Sequence, residues 1–156
     1  MSELLQAIYR GDQARADELL GADPELDVFE AAAVGRTERL GELLDGDSSL
    51  ANAWAEDGFQ PLGLASFFGH VDAARFLIEH GAEVNSASRN DLRVMPLHSA
   101  AATGDPDVRY ELAKLLLEHG ADPNALQQDD FTLLMAAEQH EDERLSALLV
   151  EHGATG

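Results

Sequence analysis

One short phrase, repeated at nearly constant spacing, constrains the fold more than any other feature of the sequence. The residues Glu-His-Gly-Ala occur at Glu79–Ala82, at Glu118–Ala121 and again at Glu151–Ala154. The glycines of this phrase are separated by 39 and then by 33 residues. A period of that length indicates a repeat architecture, in which small units bury apolar surface only by stacking on their neighbours.

A second phrase precedes each copy of the first. It appears as Pro-Leu-Gly-Leu-Ala at Pro61–Ala65, as Pro-Leu-His-Ser-Ala at Pro96–Ala100, and as Thr-Leu-Leu-Met-Ala-Ala at Thr132–Ala137. Together the two phrases resemble the ankyrin repeat, a unit of about 33 residues that contains Thr-Pro-Leu-His-x-Ala. The resemblance covers nearly the whole chain and is to small, bacterial-like members of the family. It implies an all-α solenoid of about five stacked helix–turn–helix units, joined by short finger loops built from β-turns.

The apolar pattern supports the same architecture independently of the resemblance. Apolar residues recur at three- and four-residue steps over 62–65 and 73–78, which is typical of two short amphipathic helices. Helices of that length are not stable alone, so each pair must pack on the next. Weaker copies upstream complete a single domain over 1–156. Its predicted units are an N-terminal cap (1–25), repeats at 26–54, 55–89 and 90–126, and a C-terminal cap (127–156).

The longer interval between repeats contains six additional residues. Comparison with neighbouring units places two of them between Asn85 and Pro96, in a finger loop, and four between Gly104 and Gly120. We predict that both are loop insertions in the repeat 90–126.

Composition excludes several classes of protein. The chain carries 30 Asp and Glu against 10 Lys and Arg, a net charge of −20, yet 45% of its residues are hydrophobic, enough to form a core. The negative charge disfavours nucleic acid and anionic membranes as partners. There is no cysteine and no apolar run of about 18 residues. The first residues have no basic patch followed by an apolar stretch, so we expect no secretory signal there. We expect a cytoplasmic monomer.

Sequence patterns that carry chemistry are missing. There is no nucleophile elbow, phosphate-binding glycine loop, dinucleotide fingerprint or zinc-type histidine spacing. The histidines of the first phrase fall on successive units, too far apart to close around one metal. We therefore expect His80, His119 and His152 to be structural, and the resemblance implies the same for His70 and His98. We expect no catalytic residue, cofactor or metal, and only His140 departs from the family pattern without an assigned structural role.

The resemblance implies binding through a concave face made by the finger loops and the exposed side of each first helix. The equivalent positions on the first helices of the upstream units are Tyr9, Arg10, Ala33 and Val34. The predicted partner-binding residues are Trp54, Glu56, Asp57, Phe59, Phe67, Phe68, Asp91, Leu92, Val94, Thr103, Asp129, Phe131 and His140.

Three functional hypotheses follow. The leading one is a non-catalytic protein–protein interaction module, and a sharper version is an acidic inhibitor or immunity-type protein that masks a basic partner. The alternative is a soluble scaffold whose acidity reflects solvation in a salt-rich cytoplasm or a GC-rich genome. A metal-dependent enzyme is the remote alternative, because thin stacked repeats lack a deep pocket.

Overall fold

The computed structural model describes residues 1–155, a part of the chain that is helical and has no β-strand. Ten α-helices form five pairs, which confirms the predicted all-α repeat architecture. From the first pair to the last, each first helix contacts the first helix of the next pair. The helices are α1 Glu3–Tyr9, α2 Gln13–Gly21, α3 Val28–Val34, α4 Thr37–Gly46, α5 Pro61–Phe67, α6 Val71–Glu79, α7 Pro96–Ala101, α8 Pro106–Glu118, α9 Leu133–Gln139 and α10 Glu143–Glu151.

The core alternates small and large side chains between the two helices of each pair. Alanines on the first helices permit close approach of neighbouring units, and leucines on the second helices fill the space behind them. Each fully buried leucine contributes about 2 kcal/mol through the apolar area that it removes from water. Fully buried examples are Ala31, Ala65, Ala100 and Ala137 on first helices and Leu40, Leu77, Leu116 and Leu149 on second helices.

The finger loops, residues 53–60, 86–95 and 125–132, lie against one another. The Arg89 N–H donates to the Gly58 carbonyl at 2.8 Å, and a Cβ on Gly58 would lie 2.4 Å from the Arg89 carbonyl oxygen. Gly58 also has φ 88°, so only glycine fits this turn without strain. The equivalent positions are Arg93 and Asp130, which adopt the same left-handed region at φ 49° and 56°. The second and third fingers thus adopt the same turn with a residue other than glycine, and each left-handed residue costs about 1 kcal/mol.

Asparagines tie each unit to the next. The Asn85 side chain donates to the Gly120 carbonyl at 2.9 Å and accepts from the Asp122 N–H at 2.8 Å. Asn52 makes the same pair of bonds one unit earlier, and Asn124 makes it one unit later. This row, the asparagine ladder, satisfies carbonyls at the ends of the second helices that have no partner within their own helix.

The predicted four-residue loop insertion is wrong, because these residues lengthen a helix. Helix α8 has 13 residues, whereas α6 has nine, and both begin two residues after the equivalent glycines Gly104 and Gly69. Asp105 caps α8 by accepting from two backbone N–H groups, and Pro106 occupies its first turn. Four residues make about one helical turn, so the added segment preserves the buried face of the helix.

Candidate functional site

The finger loop 53–60 and the end of α1 face each other across a groove. The Tyr9 hydroxyl donates to Oδ2 of Asp57 at 2.8 Å, joining residues that are 48 positions apart in the chain. Burial raises the pKa of Tyr9, and the bond to Asp57 raises it further, so the phenol stays protonated. A crevice of about 260 Å³ lies beside this bridge and is lined partly by Leu5, Phe29 and Trp54.

Three aromatic rings form a partly exposed apolar surface that begins at Tyr9. The Tyr9 and Phe68 ring centroids are 5.7 Å apart, and Phe67 meets Phe68 edge-on at 5.0 Å. Phe67 is 48% exposed and Tyr9 is 37% exposed, while Phe68 is half-buried. We call Tyr9, Phe67 and Phe68 the aromatic cluster. Such contiguous exposed rings are typical of binding surfaces.

The other predicted aromatic residues are less accessible. Trp54 is half-buried, with the Arg89 guanidinium carbon 3.9 Å from its ring centroid. Phe59 and Phe131 are partly buried and pack against the core. These three side chains shape the finger loops and present only part of their surface to a partner.

The predicted polar residues of the fingers differ in their surroundings. Glu56 is exposed and accepts from the Met1 ammonium at 2.9 Å, which lowers the pKa of Glu56. The finger residues Asp91, Leu92 and Asp129 are also exposed.

Val94, a predicted position on the second finger, is half-buried, and its N–H donates to Oγ of Ser88 at 3.0 Å. The carbonyl of Leu92 accepts from the Gln128 N–H at 3.1 Å, which joins the second and third fingers.

Thr103 does not lie on the accessible face where the sequence places it. Its side chain is buried, and Oγ1 donates to the Ser66 carbonyl at 3.1 Å. A β-branched side chain at this position packs between α5 and α7 instead of pointing into the groove. His140 is exposed, and its Nδ1 accepts from Arg109 at 3.1 Å.

The repeated histidines make local backbone bonds. In His80, His119 and His152 the Nδ1 atom donates to the carbonyl four residues earlier, at 2.8–2.9 Å. His70 donates to the Ala33 carbonyl at 2.9 Å.

His98 is buried and makes two bonds, accepting from Met95 at 3.3 Å and donating to Ala125 at 3.1 Å. Within residues 1–155 no cluster of three or more His, Asp or Glu side chains is arranged to hold a metal.

Two features of the site escape sequence reasoning. Tyr9 lies in the predicted helix row, but its bond to Asp57 depends on how the first unit meets the third. Arg109 gives no local pattern, yet its buried guanidinium reaches both His140 and Asp142 in the last unit. Arginine side chains are rarely buried, so sequence reasoning predicts an exposed Arg109.

None of the helices within residues 1–155 has the length and hydropathy that a membrane span requires.

Comparisons with known proteins agree with this geometry. A family model described as ankyrin repeats in three copies matches residues 4–124. Inversin from Gallus gallus is 32% identical over 136 residues, which are 87% of this chain and 12% of Inversin. The human DNA-binding protein RFXANK is 41% identical over 58 residues, 37% of this chain and 22% of that protein.

The chain thus spans less than a quarter of the length of either relative. Ankyrin repeats are protein–protein interaction modules and are typically non-catalytic. The family match over most of the sequence and the stacked helix pairs with their asparagine ladder lead to one conclusion. This protein belongs to the ankyrin-repeat family.

Proposed function

We propose that this protein is a non-catalytic monomer that binds a basic partner protein in the groove between its finger loops and first helices. The single observation that carries this proposal is the exposed aromatic cluster, which adjoins the Asp57 carboxylate through the Tyr9 hydroxyl. An apolar surface bordered by carboxylates matches a partner surface of apolar and basic side chains.

The aromatic cluster supports a binding role because aromatic residues are scarce here. Only 6% of the chain is aromatic, yet two exposed aromatic side chains, Tyr9 and Phe67, both contact the ring of Phe68. Rigid aromatic side chains lose little conformational freedom on binding and dominate the energy of many interfaces.

The charge supports a basic partner. The net charge is −20, and the last unit alone, 127–156, has seven Asp and Glu against one Arg. A field of this sign accelerates encounter with a basic protein and weakens as salt screens it. The same field disfavours DNA, so we do not transfer the DNA-binding description of RFXANK to this chain.

Two specific forms of the proposal differ in what the charge does. In the first, the protein is an inhibitor or immunity-type protein that masks a basic effector. In the second, it is a general scaffold, and its acidity serves solvation. High salt weakens the complex in the first form, whereas in the second it raises the melting temperature and leaves the complex intact.

The proposed contact set keeps the accessible predicted residues and adds Tyr9. Thr103 is left out because its side chain is buried. The set consists of Tyr9, Trp54, Glu56, Asp57, Phe59, Phe67, Phe68, Asp91, Leu92, Val94, Asp129, Phe131 and His140.

A capture experiment from native lysate tests the proposal. Tagged wild type is compared at low and high salt with the double variant Phe67→Ala, Phe68→Ala. The control is Met135→Ala, because Met135 is 46% exposed but lies on the last unit, away from the aromatic cluster. All three proteins are first shown to have similar unfolding midpoints.

Retention of a basic protein by wild type and the control, with loss in the double variant and at high salt, supports the proposal. Equal retention by all three proteins would place binding outside the groove. Retention that is unaffected by salt would exclude the inhibitor form.

A further inference from the structure

We propose that the aromatic cluster and Asp57 together form a receptor for one arginine side chain of the partner. This inference rests on the proposed function and names the group that the groove recognises. The surface is defined by Tyr9, Phe67, Phe68 and Asp57, and its occupant is an exposed arginine on another protein.

The chain contains an internal example of the same recognition. The Arg144 guanidinium carbon lies 4.5 Å from the Tyr110 ring centroid, while its Nη1 donates to Oδ1 of Asp107 at 2.9 Å. One guanidinium thus combines a ring and a carboxylate. The ring attracts the cation through its quadrupole, and the carboxylate accepts its N–H groups.

A second internal example shows how closely a guanidinium approaches a ring in this protein. The Arg89 guanidinium carbon lies 3.9 Å from the Trp54 ring centroid on the neighbouring finger. Both examples use arginine, which supplies nine of the ten Lys and Arg residues of the chain. The planar guanidinium can cover a ring and still direct N–H groups sideways, which an ammonium cannot do.

The groove has the same two components, but no guanidinium covers its rings. The Met1 ammonium in the adjoining crevice donates to Glu56 at 2.9 Å. Among residues 1–155, the only guanidinium groups that cover rings are those on Trp54 and Tyr110. Arg10, which follows Tyr9 in the chain, instead donates to Gln6 at 3.5 Å. The aromatic cluster is therefore open to a cation supplied by a partner.

Asp57 retains acceptor capacity for such a cation. Its Oδ2 accepts from the Tyr9 hydroxyl at 2.8 Å, and its Oδ1 accepts only a long bond of 3.4 Å from the Phe59 N–H. A carboxylate has about four acceptor positions, so it can hold the Tyr9 hydroxyl and still receive a guanidinium. The Tyr9 hydroxyl fixes the carboxylate at the edge of the Tyr9 ring, which preorganises the receptor.

Nuclear magnetic resonance titration of the full chain tests the inference with small probes. The probe is N-acetyl-L-arginine amide, and its neutral, nearly isosteric control is N-acetyl-L-citrulline amide. N-acetyl-L-lysine amide tests the preference for a guanidinium. The measurement follows the aromatic resonances of Tyr9, Phe67 and Phe68 and the backbone resonance of Asp57.

The expected result is a saturable shift of these resonances with arginine, weaker affinity for lysine, and no response to citrulline. Asp57→Asn should weaken the arginine probe roughly threefold or more, because the charged partner is lost but the Tyr9 bond can persist. Asp45→Asn is the matched control, since it makes the same substitution at an exposed position of α4, outside the proposed contact set, and should change affinity much less.

Three results would overturn the inference. They are an equal response to citrulline, shifts that spread without saturation over all carboxylates, and equal losses in Asp57→Asn and Asp45→Asn. If the arginine probe fails while partner capture still depends on Phe67 and Phe68, the receptor is wrong and the proposed groove stands. If capture is also independent of these rings, both proposals fail.

Discussion

Nη1 of Arg109 lies 2.8 Å from Oδ2 of Asp142, and the two side chains are only 4% and 7% exposed. The same guanidinium donates to the carbonyls of Thr103 and Gly104. Asp142 also caps α10 by accepting from the Leu145 N–H at 3.0 Å. When α6 and α8 are aligned on their last residues, Glu79 and Glu118, the added turn of α8 is 106–109. Arg109 belongs to this turn, which therefore fastens the last unit to the stack.

Removing one member of this buried pair should be strongly destabilising. Arg109→Met leaves Asp142 without its cation and the two carbonyls without a donor, and we expect a loss of about 3–5 kcal/mol in the free energy of unfolding. Urea denaturation measures the change. The control is Arg15→Met, because Arg15 is 43% exposed and pairs with Glu3 and Glu18 on the surface.

We expect the Arg15 variant to lose less than about 1 kcal/mol. Equal losses in the two variants would mean that burial of the Arg109 pair makes no difference to stability.

Acid should destabilise the protein partly through His98. Burial lowers the pKa of His98 below its ordinary value, against the opposing effect of its bond to the Ala125 carbonyl. In the unfolded chain the pKa returns to about 6.5, so the unfolded state binds a proton first as the pH falls. The contribution of His98 is therefore complete above about pH 6.5 and decreases below it.

Urea titrations on both sides of that pH measure the effect. His98→Gln should weaken the pH dependence, and adding His70→Gln should weaken it further, because burial also lowers the pKa of His70. A wild-type protein whose stability is constant through this range would contradict the prediction.

Removing the hydroxyl group of Ser66 should stabilise the protein. Its Oγ is fully buried and has no hydrogen-bond partner among the described residues. The equivalent positions on neighbouring first helices are Ala32 and Ala101, which are also fully buried. Ser66→Ala should therefore stabilise the protein by about 1 kcal/mol.

The reciprocal variant Ala101→Ser is the matched control for this substitution. It introduces a hydroxyl at the symmetric site and should lower the free energy of unfolding by a similar amount. A loss of stability in Ser66→Ala would show that the hydroxyl does find a partner.

The asparagine ladder should be sensitive to its central member. Asn85→Ala removes both bonds to the next unit and should cost about 1–2 kcal/mol. Asn85→Asp keeps an acceptor for the Asp122 N–H but sets a carboxylate oxygen against the Gly120 carbonyl oxygen, so its loss should be larger than that of Asn85→Ala. Thermal and urea unfolding of the two variants gives the order, and a reversed order would contradict this account.

Most of the fold could be predicted because each unit repeats its own local information. The two phrases indicate where helices begin and end, and each can be recognised without knowledge of residues that are distant in the chain. The added turn of α8 was misplaced because residue counting locates an insertion but does not assign its conformation. Asp105 and Pro106 were the available clue, since they form a cap and first turn as readily as a loop.

The candidate site was harder to predict because its geometry depends on contacts between units. The family pattern gives Phe68 and Thr103 equivalent positions, yet Phe68 is half-buried beside Tyr9 and Thr103 is buried against α5. The neighbouring unit decides which of two equivalent side chains remains accessible. Tyr9 and Asp57 likewise have no relationship until the first finger folds over α1.

Because of the added turn of α8, the two ends of the protein should differ in how readily they unfold locally. At one end Arg109 and Asp107 anchor α10, whereas at the other end α2 buries only Ala16. In a stack held by neighbour contacts, we expect the first helix pair, α1 and α2, to unfold locally most often and to show the fastest amide hydrogen exchange. The last two pairs should unfold together, because the ion pairs of α8 join them. Tyr9 lies on the fraying pair, so an occupied groove would clamp that pair closed and slow its exchange.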